Sequence, residues 1–297
     1  MTEQNGDFRS GFVAIIGRPN VGKSTLLNRI VGEKIAIISP KPQTTWNKIL
    51  GVKTLPHAQI IFVDTPGVHE ASSKLNRNMV NTARKALHDA NVALHLVEAT
   101  NPLLLQCEQV VWQLLEGAKV PVILSINKID LVKTGNVFAE NLLTFQYTKV
   151  ICISALLGTG VDLLEREVVS LLPHGPKYYP DEIFTDQTER VMVGEIIREQ
   201  IFHLTHREIP YSCAVLVEDF KEREGGAIFI RASINVEKES QKGIIIGREG
   251  RKLREIGRLA RADIEQLLGA KVYLDLWVKV LKNWRRKEYA LREFGLA

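Results

Sequence analysis

Five apolar runs punctuate the first part of the chain: FVAII at 12–16, QIIFV at 59–63, VALHLV at 92–97, VPVIL at 120–124 and VICI at 150–153. Longer stretches of mixed character separate them. Short unbroken apolar runs suit strands buried on both faces, and their alternation with helix-length segments predicts βαβ units. The fold class expected is α/β, a mostly parallel sheet with helices on both faces. The rhythm stops at PHGPKYYP, residues 173–180, where three prolines and a glycine in eight residues forbid continuous helix or central strand. We therefore expect a first domain over 1–172, a linker over 173–180 and a second domain over 181–297.

The pattern beyond that break differs. Val193, Ile196, Ile197, Ile201 and Leu204 recur at helical spacing. CAVLVEDF at 213–220 reads as a strand, and IFIRASINV at 228–236 alternates strictly. Leu253, Ile256, Ala260, Ile264, Leu267 and Leu268 mark a helix, and KVYLDLWVKV at 271–280 alternates again. With the short apolar segment before Gly247 taken as a helix, the order is α-β-β-α-α-β, a small α+β domain with one sheet face covered by helices.

Composition narrows the setting. At 297 residues, 45% hydrophobic and 25% charged, the chain is long enough for two cores. Cys107, Cys152 and Cys213 are an odd number without Cys-x-x-Cys spacing, which argues for reduced, buried side chains and against a disulfide or zinc. The opening MTEQNGDFRS is polar and acidic, and no apolar run reaches the ~18 residues of a bilayer span, so a cytoplasmic location is expected. The net charge of +5 is uneven: residues 241–297 carry +7 and residues 181–240 carry −6. A basic end of this kind is either solvated surface or the footprint of an anionic partner, nucleic acid or lipid headgroups.

Candidate chemistry begins where the first strand runs into GRPNVGKST, Gly17, Arg18, Pro19, Asn20, Val21, Gly22, Lys23, Ser24 and Thr25. Gly-x4-Gly-Lys-Ser between a strand and a helix is the phosphate-loop pattern: backbone N–H groups curl around phosphate, the helix adds its positive end, Lys23 reaches the outer phosphates and the Ser24 hydroxyl holds Mg²⁺. In DTPGV, Asp64, Thr65, Pro66, Gly67 and Val68, Asp64 would hold Mg²⁺ through water and the Gly67 amide would sense the γ-phosphate. Upstream, SPKPQTTWN contains Thr44 and Thr45, either of which would complete the Mg²⁺ shell only with the γ-phosphate present, giving two elements that order with the triphosphate.

The base follows from NKID, Asn127, Lys128, Ile129 and Asp130, at the C-terminal edge of the expected sheet. The Asp130 carboxylate can accept from N1–H and the 2-amino group of guanine. Adenine would leave a buried charge unpaired, a discrimination of roughly 10⁴ or more. Lys128 would lie along the phosphate loop. SAL, Ser154, Ala155 and Leu156, is placed to give the base O6 a backbone N–H. The set indicates a Ras-like GTPase with Lys23, Thr45, Asp64 and Gly67 as the catalytic residues. Val68 stands where Ras-type enzymes place a water-orienting glutamine, so slow intrinsic hydrolysis is expected.

The motifs GRPNVGKST, KPQTT, DTPGV, NKID and SAL, followed by a Gly-x-x-Gly turn in GIIIGREGRKL, resemble the bacterial Era GTPases over nearly the whole chain. Two positions depart from that pattern: Trp46 replaces an arginine and is read as a solvent-facing substitution, and Glu98 replaces an aspartate and is read as neutral. The resemblance implies that the second domain is a type II KH module, whose Gly-x-x-Gly loop clamps a few unpaired nucleotides. Ile246, Gly247, Arg248, Gly250, Arg251, Arg254 and Arg258 are then the RNA-binding candidates, with Glu249 pointing away from the RNA while Arg248 and Arg251 face it. It implies, too, a monomer that binds 16S ribosomal RNA near its 3′ end and acts in rRNA processing and small (30S) subunit assembly, with loose peripheral association with the inner membrane and no DNA partner. Spacing and charge by themselves imply only single-stranded RNA. The alternative is a membrane-associated signalling switch to which RNA is incidental. The basic tail KNWRRKEYALREFGLA either packs on the domain, adds RNA contacts or touches lipid headgroups.

Overall fold

The computed structural model describes residues 7–39, 41–42, 44–68, 74–100, 105–132 and 145–296. It divides into two compact units, Met1–Ala36 with Pro42–Asp186, and Ile37–Lys41 with Gln187–Ala297.

In the first unit, β1 (Arg9–Ile16), β2 (Ile49–Leu55), β3 (Ala58–Asp64), β4 (Val92–Glu98), β5 (Val122–Asn127) and β6 (Lys149–Cys152) form one sheet in the order β2-β3-β1-β4-β5-β6. Every neighbouring pair is parallel except β2 with β3. Helices α1 (Lys23–Val31) and α4 (Val161–Leu171) cover one face, where Leu26, Leu27, Leu164 and Val168 pack with Val13, Ile15, Ile60 and Phe62. Helices α2 (Lys74–His88) and α3 (Leu105–Glu116) cover the other, where Ala83, Leu87, Val111 and Leu115 meet Ala14, Ile16 and Ala93. Alternate residues of β1 thus feed opposite cores, which is why its sequence is apolar without a break. The loops after β1, β3, β5 and β6 leave from the C-terminal edge of the parallel strands, the edge on which open α/β sheets bind ligands.

The edge strand β2 is an element the apolar pattern does not announce. Its sequence ILGVKTL is broken by Gly51, where a Cβ would lie 2.6 Å from Leu27 Cδ1 and 2.7 Å from Val31 Cγ2, so the glycine is what lets α1 approach. The proline-rich stretch lies along this unit. Ser10 N–H donates to the Pro173 carbonyl (3.1 Å), and the Gln59 side-chain oxygen accepts from the N–H groups of Tyr178 (2.8 Å) and Tyr179 (3.0 Å).

The second unit contains α5 (Glu189–Leu204), α6 (Ile209–Ser212), β7 (Ala214–Glu222), β8 (Ile228–Val236), α7 (Glu239–Ile246), α8 (Arg251–Leu268), β9 (Val272–Val280) and α9 (Glu288–Glu293). The sheet order is β7-β8-β9, antiparallel then parallel. The expected stripes meet: Val193, Ile197 and Ile201 of α5 and Ile256, Ala260 and Ile264 of α8 pack with Ile230, Ala232 and Ile234 of β8. Apart from the short α6 and the terminal α9, the order is the α-β-β-α-α-β read from the sequence. Ile38 N–H donates to the Glu199 carboxylate (3.1 Å), and the Lys41 ammonium donates to the carbonyls of Phe202 and Thr205 at the end of α5. The tail packs as part of the unit: Trp284, Ala290 and Leu291 are buried, and the Trp284 indole donates to the Ser212 carbonyl (3.0 Å). Cys152 and Cys213 are free thiols, the buried Cys213 pushed up to about 12 by desolvation, whereas the side chain of Cys107 lies outside the described residues.

Candidate nucleotide and nucleic-acid sites

The loop after β1 is shaped by what its glycines allow. A Cβ on Gly17 would meet the Leu96 carbonyl oxygen at 2.4 Å, and one on Gly22 would meet Asn127 Nδ2 at 2.2 Å. Gly22 has φ 100 and caps α1, whose first amides open toward the loop. Lys23 is buried and donates to the carbonyls of Gly17 (3.1 Å) and Arg18 (2.8 Å). Its ammonium thus spans the loop from the side, where it can transfer to phosphate oxygens. Gly67 comes so close that a Cβ would be 2.7 Å from the Pro19 ring, and Val68 N–H donates to the Gly17 carbonyl (3.2 Å). The loops after β1 and β3 therefore form one surface.

Asp64 ends β3 completely buried. Its Oδ2 accepts from Ser24 Oγ (2.7 Å) and Thr45 Oγ1 (3.4 Å), the two hydroxyls lie within hydrogen-bond distance of each other (2.9 Å), and Oδ1 has no partner among the described residues. Burial pushes the Asp64 carboxyl up, against the opposing pull of Lys23, Ser24, Thr45 and the Thr65 backbone. A desolvated carboxylate with an unused oxygen beside two hydroxyls is the all-oxygen donor set that Mg²⁺ prefers, so these residues fit the ion. Thr45, rather than its neighbour Thr44, is the residue joined to this cluster. Of the segment around them, Pro40 and Gln43 lie outside the described residues.

The base side is a second network. Asn127 donates through Nδ2 to the Val21 carbonyl (2.8 Å) and accepts the Ala155 N–H on Oδ1 (2.9 Å), locking the phosphate loop to the SAL loop. Ser154 Oγ donates to Asp130 Oδ1 (2.6 Å), leaving the other carboxylate oxygen for a ligand. Lys128 stands at φ 66 and its ammonium pairs with the Glu98 carboxylate. Glu98 thus keeps the acidic partner that an aspartate would supply. Ile129 N–H donates to the Ile153 carbonyl (3.3 Å), placing NKID and SAL side by side.

In the second unit, Gly247 ends α7 with φ 70 and ψ 174, and Gly250 starts α8 with φ 73. Between them Glu249 sits at φ 53. Its carboxylate pairs with Arg251 (2.9 Å), while its carbonyl accepts from Arg254 (2.6 Å). A left-handed turn brings residues 249 and 251 to the same side, so the Glu249 carboxylate lies beside one of the arginines expected to face RNA. Arg258 is held by Glu255 at 2.9 and 2.7 Å. Arg248, Arg251 and Arg254 line the start of α8, and the buried stripe of that helix turns the other way.

Comparison with known proteins joins the two halves. Residues 12–128 match the family model described as 50S ribosome-binding GTPase, and residues 208–285 match that of the KH domain. The chain is 52% identical to the GTPase Era of Geotalea uraniireducens over 99% of both chains, and 51% identical to that of Carboxydothermus hydrogenoformans over 97% of this chain and 98% of the other. The chain belongs to the Era family of GTPases. Its fold agrees with the crystal structure of a point variant of Aquifex aeolicus Era bound to GDP and AlF4⁻ (TM-score 0.93, 41% identity, 98% of this chain and all of the other). It agrees as well with Era in complex with MgGDPNP and nucleotides 1506–1542 of 16S ribosomal RNA (TM-score 0.91, 40% identity, 98% and 99%).

The Era-type enzyme departs from its sequence reading at one point. Trp46 does not face solvent; it is 7% exposed, beside the equally buried Thr45. The arginine-to-tryptophan exchange is therefore at a buried position rather than a surface one. Within the SAL loop the Ala155 amide is engaged by Asn127, so the donor that the loop is expected to give the base falls to another of its peptides. No helix among the described residues is long and apolar enough to cross a membrane.

Proposed function

We propose that this GTPase hydrolyses GTP between the loops after β1 and β3 and uses the Gly247–Gly250 turn to hold single-stranded RNA at the 3′ end of 16S ribosomal RNA, as a cytoplasmic, monomeric factor in small-subunit assembly. The observation that carries the reading is that one chain aligns end to end with an Era structure holding both MgGDPNP and that RNA, while its own loops retain the close approaches those ligands require. Lys23 would neutralise the outer phosphates, and Ser24 and Thr45, with Asp64 through water, would hold Mg²⁺, which supplies charge neutralisation between the β- and γ-phosphates. Asp130 reads the N1–H and 2-amino edge of guanine. The membrane alternative is weaker because most of the apolar side of the tail, Trp284, Ala290 and Leu291, is buried inside the unit, leaving basic groups and Tyr289 for a lipid surface.

Two outcomes are expected. The Val68 side chain is buried and carries no hydrogen-bonding group, so purified protein should turn over GTP at well below about one per second, the regime of Ras-type sites that lack an added arginine or an oriented water. Turnover of many per second without a partner would contradict the site described. For the RNA, crosslinking in cells with GTP-locked and GDP-bound forms, followed by sequencing, should enrich the 16S 3′ region in one nucleotide state over the other. Absence of ribosomal RNA from both would end the assembly reading.

A further inference from the structure

The SAL loop is held by a residue outside all of the motifs. Arg29, in the last turn of α1, donates through Nε to the Ala155 carbonyl (3.2 Å) and through a terminal nitrogen to the Leu156 carbonyl. Inside the loop the amides on either side are engaged: Ala155 N–H by Asn127 Oδ1 (2.9 Å) and Leu157 N–H by Ser154 Oγ (3.1 Å). Leu156 N–H, between them, has no acceptor among the described residues. The Ala155 carbonyl and the Leu156 N–H belong to one peptide unit, planar and trans, so they point in opposite directions. A donor that fixes the first aims the second.

We propose that Arg29 is a positioning residue for guanine recognition, turning the Ala155–Leu156 peptide so that the Leu156 amide faces O6 of the base. The inference rests on the reading of Ser154–Leu156 as the base-facing loop. An arginine suits the task because its planar fork presents Nε and a terminal N–H side by side to two successive carbonyls, which a lysine ammonium cannot do. Gly158 lies alongside, where a Cβ would make only an ordinary contact with Arg29 Cδ, at 3.9 Å. Arg29 and the phosphate-binding end belong to the same helix, so both ends of the nucleotide would be registered on α1.

The bland alternative is that Arg29 merely closes the C-terminus of α1, and nucleotide discrimination separates the two. Full-length Arg29→Ala should bind GDP and IDP, which both carry O6, roughly five- to twentyfold more weakly, mostly through faster release, as expected for one or two charge-assisted hydrogen bonds near solvent. The diphosphate of 2-aminopurine riboside, which lacks O6, should bind as weakly to the variant as to the parent. The kcat at saturating GTP should stay within about twofold, because the phosphate loop is untouched, and Arg29→Lys should fall between. Equal weakening of all three nucleotides, or none, overturns the proposal. Asp130→Asn tests the underlying reading separately: the amide can donate to the 2-carbonyl of xanthine, so XDP binding should appear. Failure of that switch removes the base-site reading and this proposal with it, whereas a successful switch with unchanged GDP binding by Arg29→Ala removes the proposal alone.

Discussion

Gly22→Ala is expected to weaken GDP and GTP binding by about a hundredfold or more, with the sheet and both cores intact. Two costs combine. The residue sits at φ 100, where a side chain is strained by ~1–2 kcal/mol. The new methyl would also fall 2.2 Å from Asn127 Nδ2. Asn127 cannot step aside cheaply, because its amide is fixed by the Val21 carbonyl at 2.8 Å and the Ala155 N–H at 2.9 Å. Displacing it strands buried polar groups at ~1–3 kcal/mol each and unlocks the phosphate loop from the base loop. Gly32→Ala is the matched control: it has φ 87 at the other end of α1 and nothing within 4 Å of its Cβ. It should lose a few degrees of Tm and keep its nucleotide affinity. Calorimetric titration with GDP on both variants decides; similar affinities would mean that the contact with Asn127 is not what holds the site.

The contrast between these glycines shows where the sequence stops being legible. The phosphate loop, DTPG, NKID and SAL were readable because each needs particular atoms at fixed spacing after a strand, and the strands are marked by apolar runs. The KH order was readable because the strands β8 and β9 alternate and α8 has a single buried stripe. What stayed hidden depends on contacts between distant segments. β2 was missed because its pattern is interrupted by Gly51 and Lys53, and Gly51 is needed there only because α1 presses on it. The burial of Trp46 is set by the fold, to which local hydropathy gives no clue. Nothing in the local sequence marks Arg29, since the carbonyls it grips lie more than a hundred residues away. The pairing of Glu249 with Arg251 follows from a left-handed turn at a residue that is not a glycine, which composition does not signal.

The two glycines of the Gly-x-x-Gly turn should not be equivalent. Gly247 has φ 70 with ψ 174, a region that costs other residues ~1–3 kcal/mol, and a Cβ would lie 2.8 Å from Lys252 Cβ and 3.1 Å from its backbone nitrogen. Gly247→Ala must therefore shift the first turn of α8, the element that carries Arg251 and Arg254. A loss of RNA affinity of about thirtyfold or more is expected, with a lower Tm. Gly250 has φ 73 and ψ 10 and open space around it, so Gly250→Ala keeps the backbone at ~1 kcal/mol and interferes only where a sugar-phosphate chain would approach. Its stability should be nearly unchanged, and any loss of RNA binding must come from the ligand side. Glu249 gives the converse test. Its carboxylate now occupies Arg251, and a phosphate has to displace it. Glu249→Gln should tighten binding to a 16S 3′-end oligonucleotide by a few-fold and steepen the dependence of log K on log salt by up to about one unit, because one more cation becomes available. The pair is exposed, so the gain stays modest. Weaker binding by Glu249→Gln would mean that the carboxylate accepts from RNA donors instead, and that this turn reads base or ribose groups rather than the phosphate chain.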